Sequence, residues 1–270
     1  MKKIAITGGS GFIGKAAAVY AATQGMEVVS FDRADGHDVL GDLGAMRGAD
    51  AVVHLAGVLG TSELFDAAEY AVNTNIVGSL RVMQWCVENN ASYVGISMPP
   101  VFPSVYTATK VCSDRLATAW HLAKGLRTSK VRAFNAYGPG QKHGATHPQK
   151  ILPTFATEAW AGRPIPIWGD GTQTVDLVHV NDLGRMLVDA TAFGDDEVFD
   201  GGTGVALTVN EVAAHVLAVT GSRAGAVHLH MRKGETPTQI VAAGDGWDKL
   251  GWKPQHNWDL VSECVHAYKP

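Results

Sequence analysis

Residues 7–14 read TGGSGFIG, between a short apolar run at 2–7 and a stretch of helical period at 12–23. Gly8, Gly11 and Gly14 stand three residues apart at that junction. A turn this tight, with backbone this close to a ligand, needs glycine, and the start of the following helix offers unpaired N–H groups and a partial positive charge to a pyrophosphate. Asp32 comes 18 residues past Gly14, at the end of the next apolar run. That is the place for a carboxylate that accepts from both hydroxyls of a ribose. Strand, glycine turn, helix and acid together predict a dinucleotide-binding unit, with the backbone at Phe12 and Ile13 beside the pyrophosphate. Asp32 would repel a 2′-phosphate, which favours NAD over NADP; Arg33 next to it weakens that preference slightly.

The alternation begun there continues. Runs rich in valine and isoleucine at 27–31, 51–55, 92–96 and 129–134 predict buried strands, and residues 65–88 and 105–123 are long enough for helices and apolar at helical spacing. Strands alternating with helices imply right-handed crossovers and a parallel sheet covered on both faces. The expected class is α/β: a Rossmann-type doubly wound parallel sheet with a smaller C-terminal substrate-binding lobe. Beyond residue 134 the chain turns to loops rich in Gly, Pro and His, a helix over 148–161 and a turn at 169–171. We place the dinucleotide domain at 1–140, with 172–200 returning to it, and the substrate lobe at 141–270. Helices over 209–219 and 258–267 and a strand near 227–230 complete the expected map.

The bulk properties exclude other classes. A formal charge of −4 from 22 basic and 26 acidic residues, with no run of either sign, gives no footprint for nucleic acid or anionic membrane. No apolar stretch approaches the roughly 20 residues that span a bilayer, and the first turn signal comes too early for a signal peptide. A cytoplasmic protein is expected. Cys86, Cys112 and Cys264 form no close-set pair, so they read as buried free thiols. His143 and His147, four apart with no carboxylate nearby, read as solvated rather than as metal ligands.

Residues 97–110, SMPPVFPSVYTATK, carry the chemistry. Tyr106 and Lys110 are four apart in a predicted helix and so emerge on one face, a turn apart. A nearby ammonium and an oxidised nicotinamide both favour phenolate, so the tyrosine can act as acid or base on a sugar or alcohol hydroxyl, while the lysine tunes it and holds the nicotinamide ribose.

With these residues in view the chain resembles the extended short-chain dehydrogenase/reductases, and within them the NAD-dependent nucleotide-sugar epimerase/dehydratase family, UDP-galactose 4-epimerase among them. TGGSGFIG is similar to the family's nucleotide loop, and HLAG at 54–57 to its third-strand signature, where Leu55, Ala56 and Gly57 line the cofactor. NIVGSL at 75–80, beginning at Asn75, resembles a family helix, YTATK at 106–110 the catalytic pair, and RAFNAYGPGQ at 132–141 the entry to the substrate lobe. IPIWGDGTQTVDLVHVNDL at 165–183 and RKGE at 232–235 resemble later nucleotide-sugar contacts. The resemblance implies that Asn135 contacts the sugar diphosphate, Trp168 stacks on the base and Arg232 pairs with phosphate. It also implies an adenine contact at Asp42 and Leu43, although Asp42 in GDL is equally a turn former. A homodimer follows in which the helices at 65–88 and 105–123 form a four-helix bundle; Val111, Leu116 and Trp120 suggest apolar surface beyond what the sheet covers.

Two positions depart from the pattern. Relatives carry hydroxyls after the fourth strand, but here Met98 and Pro100 occupy those places and Ser97 is the remaining hydroxyl, nine residues from Tyr106. Val175 stands where relatives commonly have arginine. Dehydratases of the family add an acidic residue beside the hydroxyl, and no Asp or Glu lies between Ser92 and Tyr106. The expected activity is therefore NAD-dependent 4-epimerisation of a nucleotide sugar, a UDP-hexose or UDP-hexuronate, with Tyr106, Lys110 and Ser97 as candidate catalytic residues. A 4-ketosugar reductase and a catalytically impaired nucleotide-binding homologue are the alternatives.

Overall fold

The computed structural model describes residues 2–99, 101–143, 150–244 and 246–270. Pro100, His147 and the start of the helix expected over 148–161 lie outside the described residues. In chain order the first half contains β1 (Lys3–Thr7), α1 (Phe12–Thr23), β2 (Glu27–Phe31), β3 (Ala51–His54), α2 (Ala68–Val72), α3 (Gly78–Glu88), β4 (Ser92–Ser97), α4 (Val105–Lys124) and β5 (Thr128–Ala133). There follow β6 (Asn135–Tyr137), α5 (Ile151–Trp160), β7 (Ile165–Trp168), β8 (Thr174–Val175), β9 (Leu177–His179), α6 (Val180–Asp189) and β10 (Asp195–Gly201). The last elements are β11 (Leu207–Thr208), α7 (Val209–Thr220), β12 (Ala226–Leu229), α8 (Trp247–Leu250) and α9 (Trp258–His266).

Six strands form one parallel sheet in the order β10-β5-β4-β3-β1-β2. The doubly wound α/β class read from the sequence is the observed one. Alternation along β1 shows how both faces are filled: Ile4 and Ile6 pack with Ala17 and Ala21 of α1 and with Leu183 and Met186 of α6. Ala5 points the other way, into a cluster with Val82 and Met83 of α3 and Ala117 of α4. Small residues let α1 and α6 approach closely, since a Cβ on Gly184 would lie 2.7 Å from the Ala17 nitrogen.

A third core lies beyond the sheet, where Leu152 and Phe155 of α5, Ile165 and Ile167 of β7, Val212 of α7 and Val261 of α9 are buried together. Chain passes between the cores more than once: β6 pairs in parallel with β9, and β10 then returns to the large sheet beside β5. The junction is pinned by Asp176, which is fully buried. Its Oδ1 accepts from the Thr203 amide at 2.8 Å and the Thr203 hydroxyl at 2.7 Å, and its Oδ2 from the Gly204 and Ala242 amides at 2.9 and 3.0 Å.

The segment at 65–88 differs from the single helix its periodicity suggests. It is a 3₁₀ turn at Glu63–Phe65, then α2, a π turn at Asn73–Val77, and α3. The Asn75 carbonyl at its centre accepts from the hydroxyls of Ser79 and Ser113, each at 2.6 Å, and so has side-chain partners where the backbone register shifts. On α4, Leu116 and Trp120 pack against the core, whereas Val111 is 49% exposed. No helix among the described residues is long and apolar enough to cross a membrane.

Replacing Asp176 with alanine strips four donors of their acceptor in a dry interior. We expect a loss on the order of 3–5 kcal/mol in urea unfolding; a loss below about 1 kcal/mol would show that the junction does not depend on this carboxylate.

Candidate active site

The carboxyl ends of the sheet strands open into a cavity of about 1090 Å³ that runs from the glycine turn to the third core. At its near end Gly8 has φ +72°, and a Cβ there would sit 2.9 Å from the backbone of Leu55 and Ala56; on Gly14 it would sit 2.1 Å from the Gly8 oxygen. The turn therefore lies flat against the end of β3, a contact any side chain would break. Helix α1 starts at Gly11 with no side-chain cap and no acid in its first turn, so its leading amides, with Gly11, Phe12, Ile13 and Gly14, face the cavity unneutralised.

Asp32 lines the same end, its carboxylate fixed by the Ser10 amide at 3.2 Å and the Ala34 amide at 2.9 Å. Arg33 is drawn aside, donating to the Tyr70 hydroxyl with its guanidinium 5.9 Å from the ring. The uncapped helix start, the glycine cradle and the fixed carboxylate all fit NAD. His37, Asp38 and Val39 line the cavity here. Asp42 and Leu43 do not: Asp42 closes its own turn by accepting from the Gly44 amide at 2.9 Å, and Leu43 is buried in the core.

Behind the turn runs a buried chain of hydrogen bonds. Thr7 Oγ1 accepts from the amides of Leu55 and Ala56 at 3.2 and 3.1 Å, so its own proton goes to His54 Nδ1 at 2.7 Å. Ser79 donates to the Asn75 carbonyl, which leaves its oxygen to accept from His54 Nε2 at 2.9 Å. Burial drives the His54 pKa down to about 3, with the nearby Lys110 pushing the same way, and the ring stays neutral. Asn75 does not reach the cavity lining. Its side chain holds Val58 through both backbone groups, at 2.8 and 3.1 Å, and Thr109 of α4 at 3.0 Å. The loop at Leu55, Ala56 and Gly57, which does line the cavity, is thereby fixed to α4.

On α4, Ser104 caps the helix by accepting from the Thr107 amide at 3.1 Å, and two residues later Tyr106 enters the cavity with Lys110 a turn below it. Burial pushes the Tyr106 phenol up and the Lys110 ammonium down, to about 8, against the opposing charge of Asp114. Ile96 and Met98 line this end; Ser97 between them does not, because successive residues of a strand face opposite ways. The Ser97 hydroxyl donates to Asp114 of α4 instead. The sequence reading passed over Asp114, although its place four residues after Lys110 puts it on the same helix face.

At the far end Asn135, Trp168 and Arg232 come together in the lining with Gln173, Val175, Lys142 and Lys150. The Arg232 guanidinium lies 5.7 Å from the Trp168 ring and pairs with Glu235 at 2.8 Å, while its buried Nε has no hydrogen-bond partner among the described residues. Burial pushes Lys150 down, Glu63 opposes that and Arg232, on the same lining, adds to it. Val175 offers only an apolar wall. His143 is bonded to the Thr157 hydroxyl at 2.7 Å, and no metal-holding group of side chains occurs among the described residues.

The model of the NAD dependent epimerase/dehydratase family matches residues 4–199. A dTDP-glucose 4,6-dehydratase from Streptomyces griseus is 29% identical over 253 residues, 87% of this chain and 75% of that protein. Among solved structures, UDP-glucose 4-epimerase from Thermotoga maritima with UDP-glucose superposes with a TM-score of 0.89 at 23% identity over 99% of this chain and 98% of its own, a likeness of fold. A dTDP-glucose 4,6-dehydratase from Streptomyces venezuelae with NAD bound gives a TM-score of 0.83 at 26% identity over 99% of this chain and 97% of that one.

Because the Lys110 pKa is lowered on folding, the unfolded chain holds a proton that the folded chain has lost between about pH 8 and the ordinary lysine value of 10.5. Stability should rise with pH across that window. The raised pKa values of Tyr106 and Cys86 act in the opposite sense above their ordinary values of 10.0 and 9.0, so the difference between wild type and Lys110→Met isolates the lysine. Melting temperatures measured from pH 7.5 to 9.5 should move in wild type's favour relative to the variant; parallel curves would show that Lys110 is not desolvated.

Proposed function

The chain belongs to the NAD dependent epimerase/dehydratase family, and from that premise we propose that it is a 4-epimerase of a nucleoside-diphosphate sugar, with a UDP-hexose or UDP-hexuronate as substrate. One observation carries the choice of reaction. At the reacting end, Tyr106 is accompanied in the cavity by Ile96, Met98 and Phe102, and no carboxylate of the described 92–106 segment joins it. Elimination of water needs a second acid/base group to take a carbon-bound proton and another to protonate the departing oxygen. Inversion at C4 needs one group at O4.

NAD, when bound, supplies the hydride acceptor and donor and, in its oxidised form, a positive charge beside the phenol. Tyr106 takes the O4 proton as the alcohol becomes a ketone. Once the ketone has turned its other face toward the cofactor, the same phenol returns the proton. Lys110 supplies a fixed cation one turn away, which counters the burial that otherwise holds Tyr106 protonated. Ser97, outside the cavity, touches no reacting group in this scheme.

The far end serves recognition. Arg232 and Lys150, both on the lining at this end, offer cationic donors to a diphosphate, and Lys150 can take the place of the arginine absent at position 175. Trp168 offers a flat face to the base and Asn135 a neutral amide to the sugar diphosphate. The dinucleotide then occupies the lobe of residues 1–140 with 172–200, and the sugar nucleotide reaches into the remainder. A homodimer through α2, α3 and α4 is part of the same proposal, with sedimentation mass as its check.

The test is a proton NMR time course with NAD and, separately, UDP-glucose, UDP-N-acetylglucosamine and UDP-glucuronate. We expect the C4 epimer of one of them without net NADH; steady NADH formation would favour the ketosugar reductase. Tyr106→Phe should lower turnover about 10²- to 10⁴-fold and leave NAD binding intact. Arg232→Ala should raise KM about tenfold or more with a smaller effect on kcat; a change confined to kcat would remove Arg232 from diphosphate binding.

A further inference from the structure

Among the buried titratable groups that the reaction above does not use, Asp114 has the most definite surroundings. It follows Tyr106 and Lys110 at intervals of four residues, so the three side chains descend one face of α4 with a rise of about 6 Å per step. The Ser97 hydroxyl of β4 is bonded to its Oδ2. Lys130 and Arg132 of β5 act on it from the sheet, but each has a carboxylate of β10: Lys130 pairs with Asp196 at 2.9 Å and Arg132 with Asp200 at 2.8 Å. Tyr93 of β4 also feels its charge, as a phenol held protonated by burial. Lys110 is faced from β3 by His54, a neutral ring, and among the described residues Asp114 is the carboxylate whose charge acts on it.

We propose that Asp114 is a positioning residue, pinned by Ser97, that holds Lys110 as an ammonium and thereby keeps the Tyr106–Lys110 pair in its working charge state. The inference rests on the catalytic reading of that pair, yet its core, the coupling between Asp114 and Lys110, is measurable in the protein alone. Burial drives Lys110 toward the neutral amine and the Asp114 carboxylate opposes it, with the balance at about 8. Burial drives Asp114 toward the acid, and Lys110, Lys130, Arg132 and the Ser97 hydroxyl oppose that. Each partner opposes the burial that drives the other toward its neutral form, and Ser97, turned away from the cavity, fixes the carboxylate on the lysine's face of α4.

The experiment follows the ¹³Cε signal of Lys110 against pH in lysine-labelled protein without substrate, assigned by its loss in Lys110→Met. In Asp114→Asn the midpoint should fall by about one pH unit or more, and in Asp114→Glu it should stay near wild type. An unchanged midpoint in folded Asp114→Asn overturns the proposal. Should that variant fail to fold, reciprocity supplies the test: in Lys110→Met the ¹³Cγ titration of Asp114 must move to higher pH, and no movement overturns the coupling. With an active substrate, the alkaline limb of kcat/KM should shift to lower pH in Asp114→Asn together with the NMR midpoint, and Asp114→Glu should restore it. A shifted midpoint with a fixed limb overturns the link to the reaction. If wild type turns over no nucleotide sugar, the functional reading fails while the titration still decides the coupling.

Discussion

A neutral imidazole in the middle of the molecule holds the working parts in register. His54 accepts from Thr7 on one side and donates to Ser79 on the other, at 2.7 and 2.9 Å, and cannot charge because it is sealed from water. Through Thr7 it fixes the amides of Leu55 and Ala56, the backbone against which the glycine turn is laid. Through Ser79 it fixes the Asn75 carbonyl, and the Asn75 side chain then ties the cofactor-side loop to the helix carrying Tyr106. The hydroxyls of Thr7 and Ser79 both donate and accept, so the chain passes unbroken from the end of β3 to α3. A protonated ring would turn a second donor, Nδ1, on a Thr7 hydroxyl already engaged by two amides.

The second organising force is dryness. Tyr106 and Asp114 are driven up and Lys110 down, each toward the form that carries no charge. On the proposed reading the empty site pairs a phenol held protonated by burial with an ammonium, and the positive charge of the oxidised cofactor is what further favours the phenolate. That ties proton transfer to prior occupancy of the dinucleotide groove and discourages stray chemistry on alcohols that wander in.

The fold was legible because the features that decide it are local. Helix α1 begins and ends where its apolar spacing and flanking glycines say, and β2 matches its apolar run residue for residue. The π turn at Asn73–Val77 was not legible, since hydrophobic period cannot register a backbone shift served by hydroxyls from Ser79 and from distant Ser113. At the site, Gly8, Gly14, Asp32, Tyr106, Lys110, Trp168 and Arg232 sit on the cavity that their motifs imply. Ser97 and Asp42 do not, for reasons short spacing could have shown. Ser97 alternates with Met98 along the end of β4, and an aspartate two residues before a glycine readily closes its own turn. Lys150 and Arg232 share the far end of the cavity only through the folding of the second lobe, which no stretch of sequence displays.

Ser104 has a consequence for how such an enzyme can change. Because α4 is started by its own serine cap and held to the sheet side by Asn75, Thr109 and Ser113, the orientation of Tyr106 is set largely by the helix itself, with a further bond from the Thr107 hydroxyl back to the Phe102 carbonyl at 3.3 Å. Substitutions at Met98 or Phe102 would recut the cavity wall beside Tyr106 while the cap keeps the start of α4 in place.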